Sequence, residues 1–74
     1  MGPMKIETDA YSAEEVLKII REWSGLTQKD FAKSIHRSEA TIRNYEQGRR
    51  DYTFKALQNI AQIHGLKITI EKKL

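Results

Sequence analysis

The chain has 74 residues, 39% of them hydrophobic and 31% charged, with no cysteine, which describes one small domain with a thin core and excludes a disulfide framework, a thiolate metal site and a cysteine nucleophile. No run approaches the roughly 18 consecutive apolar residues of a membrane span, and no basic-then-apolar signal segment opens the chain, so a cytoplasmic protein without a membrane partner is expected. The formal charge of +3 permits a polyanionic partner, and it is unevenly spread: two cations face four anions over residues 1–20, seven face four over 21–50, and four face two over 51–74.

In chain order, residues 1–4 read as an expression scar ending in a start at Met4, and residues 5–11 as a short extension with a brief extended piece around Ile6. Ser12 followed three residues later by Glu15 forms a capping box. Val16, Leu17, Ile20 and Trp23 then repeat at helical spacing until Gly25. Thr27 caps a short second helix with Asp30 in its first turn and Phe31, Ala32 and Ile35 as its apolar stripe. Beyond His36 and Arg37, Ser38 caps a third helix that turns Ile42 and Tyr45 inward and stops at Gly48. Thr53 caps a fourth, with Phe54, Leu57, Ile60, Ala61 and His64 at i, i+3, i+4, i+7 spacing up to Gly65. After Gly65 the period becomes two. Leu66, Ile68 and Ile70 alternate with polar residues, which predicts a strand with one apolar face.

With Ile42 and Tyr45 inside, the third helix shows Glu39, Ala40, Arg43, Asn44 and Gln47 outward. Side chains of these types match base edges in a major groove, through a bidentate fork, an acceptor or a methyl contact. Taken alone, such a face belongs to any solvated helix, and a mild basic excess to any solvated surface; the spacing of the whole unit is what distinguishes it. Gln28, Ala32 and Ile42, with Leu26-Thr27-Gln28 before and Tyr45-Glu46-Gln47-Gly48-Arg49 after, resemble the helix-turn-helix of the Cro and phage-repressor family of DNA-binding regulators over residues 21–63. Ala32 must be small where two helices cross, Ile42 plugs the core beneath the outward face, and Gly48 permits the following turn.

The resemblance implies an all-α phage-repressor-like domain of four to five helices over residues 12–65; the alternation beyond it adds residues 66–74 as a short strand, expected to serve dimerisation. It places Ser38, Glu39, Ala40 and Asn44 at base-facing positions and Gln28 at a phosphate. Asn44 suits adenine, Glu39 a cytosine amino group and Ala40 a thymine methyl, while Arg43 reaches either a base or a phosphate. Lys29, Arg37, Gln47, Arg49 and Arg50 flank Gln28 as further phosphate contacts. Arg21 and Glu46 stand where the family keeps a buried ion pair. This sequence departs from the pattern in three places. His36 holds a turn position usually occupied by glycine and must take a positive φ or shift the turn; residues 50–52 lack a proline; the tail replaces a fifth helix. Such a tail is more like that of Cro-type repressors and of certain helix-turn-helix antitoxins, which pair through strands.

His36 and His64 have no cysteine or carboxylate at ligand spacing, and no phosphate loop, nucleophile elbow or carboxylate pair is present. No enzyme, catalytic residue, metal or cofactor is expected. The expected function is a transcriptional regulator, of repressor sign, that binds a palindromic stretch of double-stranded DNA as a homodimer through Leu66, Ile68 and Ile70. The alternative is an antitoxin that binds a toxin protein and regulates its own operon.

Overall fold

The computed structural model describes residues 4–74, and the expected scar at residues 1–3 lies outside them. Four α-helices follow a 3-10 turn at Thr8–Ala10: α1 (Ala13–Ser24), α2 (Gln28–Ser34), α3 (Glu39–Glu46) and α4 (Phe54–Ile63). Each α-helix starts at a hydroxyl residue in extended backbone. The side chains of Ser12, Thr27, Ser38 and Thr53 accept hydrogen bonds from the amides of Glu15, Asp30, Thr41 and Ala56. Each cap satisfies one of the amides that a first turn leaves unpaired. At α1 the box is reciprocal, the Ser12 amide donating to Glu15 Oε1 at 3.0 Å. That bond, with a second from the Ser12 hydroxyl, holds the Glu15 carboxyl below its ordinary pKa.

Three helices end in one hydrogen-bond pattern. The Arg37 amide reaches back to the Ala32 carbonyl at 2.9 Å, the Arg49 amide to Asn44 at 3.0 Å and the Leu66 amide to Ala61 at 2.8 Å. The residue preceding each donor lies in left-handed backbone: His36 at φ 58, Gly48 at φ 72 and Gly65 at φ 68. This is the Schellman closure, which normally selects glycine. His36 therefore meets the positive-φ alternative, and the turn keeps its length. At Gly48 a Cβ would meet only the end of the Glu14 side chain, at 3.4 Å, so it is the positive φ that calls for glycine there.

Val16, Leu17 and Ile20 of α1, Phe31 and Ala32 of α2 with its C-cap Ile35, Ile42 and Tyr45 of α3, and Ile60 of α4 form one apolar cluster, with Leu57, Leu66, Ile6, Leu26 and Tyr52 packed on its edge. Ala32 is buried where α2 meets α3. Tyr52 meets Tyr45 edge to face at 5.6 Å and donates its hydroxyl to the Ala13 carbonyl at 2.6 Å. Burial, with the negative Glu14 nearby, raises its pKa. His64 is the C-cap of α4 and not its last turn. Its ring stacks on Phe31 at 5.0 Å, with Nε2 2.9 Å from the Ser34 hydroxyl. Phe54, placed on the apolar stripe by its spacing, is more than half exposed.

The predicted C-terminal strand is not formed, and among the described residues there is no strand. Residues 66–74 carry alternation, but a strand exists only by virtue of its hydrogen-bonded partner strand, and none of the other described residues supplies one. Of the alternating set only Leu66 packs on the core, as the residue that closes the α4 Schellman motif; Ile68 lies partly open and Ile70 is 89% exposed. The piece around Ile6 does not pair with the tail either. The chain turns into the 3-10 helix instead, and Lys73 Nζ meets Asp9 at 3.1 Å. Between these segments and α4 lies an open groove of about 430 Å³, bordered by Tyr11, Val16, Phe54, Leu57, Ile68 and Ile70.

Candidate nucleic-acid interface

The second and third helices meet across the turn at 35–38, and the positive φ of His36 lets Ser38 cap α3 immediately after α2 closes. Ile42 and Tyr45 anchor α3 from below, so its other side is fixed toward solvent. There Glu39, Ala40, Arg43 and Gln47 are exposed and Asn44 is half-buried. Ser38 and Thr41 are turned to each other, their hydroxyl oxygens 2.8 Å apart, while Ser38 also accepts the Thr41 amide at 3.1 Å. Glu39 and Arg43, one turn apart, form an ion pair with 3.5 Å between Oε2 and Nη2, at 45% and 48% side-chain exposure. The outward face thus offers a carboxylate, a methyl, a guanidinium and two amides, the donor and acceptor types that base edges recognise.

Arg21 and Glu46 hold this face on the scaffold. Arg21 Nε donates to Glu46 Oε2 at 2.7 Å and Nη2 to Oε1 at 3.1 Å, a bidentate fork, and Nη1 donates to the Leu26 carbonyl at 3.0 Å. Side-chain exposure is only 17% for Arg21 and 5% for Glu46. The hydrogen bond to Glu46 raises the Arg21 pKa further, so the guanidinium stays charged. Gln28 joins the group, its Nε2 donating to Glu46 Oε1 at 3.3 Å. The end of α3 is thereby tied to α1, to the loop at Leu26 and to the first residue of α2. Among the described residues no buried side-chain nitrogen or oxygen lacks a partner.

The sequence reading paired Arg21 with Glu46 but assigned Gln28 to a phosphate alone, and the bond from Gln28 to Glu46 carried no signal at a separation of 18 residues. The bond to Glu46 uses one of the two hydrogens that Nε2 carries. Lys29, Gln47, Arg49 and Arg50 are exposed around the two helix ends. Arg37 is exposed too, but its position differs: it borders a recess with Ala56 and Asn59, on the α4 side of the turn. Of the expected dimerisation residues, Ile68 and Ile70 border the groove and Leu66 packs on the core. Among the described residues no group of three His, Asp or Glu side chains is placed to hold a metal ion, and no helix is long and apolar enough to cross a membrane.

Residues 15–69 match the family described as helix-turn-helix domain. A solved HipB complex with an O2 20mer is similar to this chain at 30% identity and a TM-score of 0.63, covering 96% of this chain and 97% of that one. HipB in a HipA–HipB–O2–O3 complex gives 30% identity and a TM-score of 0.64, over 96% and 99%. A chain described as MDT protein gives 30% and 0.63, over 93% and 96%. Curated proteins yield no match to the sequence.

Proposed function

This chain belongs to the helix-turn-helix family of DNA-binding domains, XRE-like in type, and from that premise we propose that it is a transcriptional repressor reading a palindromic operator as a homodimer. The observation that carries the reading is the outward face of α3, fixed in direction by the Arg21, Glu46 and Gln28 network and bordered by Lys29, Arg49 and Arg50. In this reading Ser38, Glu39, Ala40, Arg43 and Asn44 enter the major groove, while Gln28, Lys29, Arg37, Gln47, Arg49 and Arg50 neutralise phosphates. Gln28 stands at N1 of α2, where free amides and the helix dipole favour an anion. Its link to Glu46 uses one N–H of the amide and leaves the second to donate. Repression then needs only occupancy of a site that the transcription machinery must use.

Dimerisation is assigned to the tail. Residues 67–74 make no backbone hydrogen bond with the rest of the chain among those of the turns and loops, and Ile70 is open to water. A two-fold axis lets two such tails supply each other's missing ladder. Selection of bound sequences from a random DNA pool tests the function: a palindromic consensus is expected, and a pool that stays random after selection would dismiss it.

A second reading has its own support, the similarity to HipB in a complex that also contains HipA. In that case the chain is an antitoxin, whose DNA binding regulates its own operon and whose other partner is a toxin protein. Purification from the native host separates the two, since only the antitoxin returns with a stoichiometric second protein.

A further inference from the structure

Resting on the DNA-binding reading, we propose that Glu39 and Arg43 read the operator as one coupled unit that selects two adjacent G·C base pairs, Arg43 taking the guanine of one and Glu39 the cytosine amino group of the next. The two side chains already meet before any DNA is present, Arg43 Nη2 lying 3.5 Å from Glu39 Oε2, and both are about half exposed on the outward face of α3.

The contact uses one edge of each group. A guanidinium has five N–H donors, so a fork remains for guanine N7 and O6, and the carboxylate keeps its second oxygen for a cytosine N4 hydrogen. Groups whose nearest atoms are 3.5 Å apart can approach neighbouring base pairs, stacked about 3.4 Å apart along one strand, without parting. Charge requires the coupling as well. A lone carboxylate brought between phosphate backbones is repelled, whereas Glu39 carried in beside Arg43 enters as part of a neutral pair. In return it limits the directions the long arginine side chain can take, which favours one base over a phosphate.

The test uses the full chain and the operator recovered by selection, with each of the two G·C pairs replaced in turn by A·T. Titrations compare the parent, Glu39→Gln, Arg43→Ala and the double variant. The selected half-site should contain adjacent G·C pairs, and Glu39→Gln should lose about tenfold or more on it. Arg43→Ala should relax both positions at once, and the double variant should lose little beyond Arg43→Ala. Thermal melting should be nearly unchanged in all three, since neither side chain is buried. A Glu39→Gln protein that binds every sequence as tightly as the parent or more tightly would show that Glu39 only repels DNA, and would overturn the pair. Losses that simply multiply in the double variant would overturn it too. If the parent prefers no sequence at all, the operator-binding reading falls with it; specific binding with uncoupled variants removes only the pair.

Discussion

Glu46 concentrates the polar structure of the domain, because three donors, two from Arg21 and one from Gln28, converge on a carboxylate with 5% side-chain exposure. The attraction in such a pair is largely offset by desolvation, but deleting one member strands the other. Glu46→Ala should lower stability by about 3 to 5 kcal/mol, with Arg21 and Gln28 both left short of an acceptor. A denaturant melt within about 0.5 kcal/mol of the parent, the range of a neutral surface change, would contradict that account. Asn44 and Arg49 offer a second contrast. If Asn44 reads a base, Asn44→Ala should relax one operator position by about 1 to 3 kcal/mol, whereas Arg49→Ala should weaken all sequences alike and flatten the salt slope by about one unit. Titrations on matched and mismatched DNA at several salt concentrations distinguish them.

The elements themselves were legible because their signals are local. A hydroxyl whose oxygen meets an amide three residues on, and a glycine that closes a helix, need nothing from elsewhere in the chain, so the starts at Ser12, Thr27, Ser38 and Thr53 and the stops at Gly25 and Gly48 could be read directly. The α1 cap has a pH signature. The Glu15 pKa is depressed in the folded chain, so its contribution is present above the carboxyl's unfolded pKa and fades as pH falls through the folded value. Glu15→Gln should be less stable than the parent at neutral pH, and the difference should close in acid; urea melts at pH 7 and pH 3 give the comparison. The turn between α2 and α3 stores strain at His36, whose φ of 58 is unfavourable for any residue with a Cβ. His36→Gly should raise the melting temperature and His36→Val should lower stability by about 1 to 2 kcal/mol; the opposite order would mean the histidine side chain supports the turn. The tail strand was misread for the complementary reason. Alternation specifies which residues share a face, but the hydrogen-bonding partner is not a local property, and among the described residues the tail finds no strand to pair with.

As a whole molecule the protein measures 40 × 28 × 19 Å, enough to occupy one half-site, while successive major-groove faces lie about 34 Å apart along the duplex. The proposed palindrome therefore needs a second copy at a fixed distance, and the proposal assigns the tail at Ile68 and Ile70, beside the apolar groove, to that contact. Truncation after Leu66 keeps the residue that closes α4 and removes the rest. Light scattering should then report a monomer, with operator affinity falling far more than helix content; a truncated chain that stays dimeric would place the interface elsewhere. A single imidazole ties the end of α4 to α2. Ser34 has one hydroxyl hydrogen, and the structure commits it to the Phe31 carbonyl at 2.6 Å, so the contact of 2.9 Å with His64 requires Nε2 to be the donor. Together with the stack of its ring on Phe31, that bond holds the residue capping α4 against α2, beyond the apolar contact that Ile60 makes with the core. In the proposed homodimer, a side chain outside the α3 face would thereby help to hold α4, and the groove beside it, in position for a second copy.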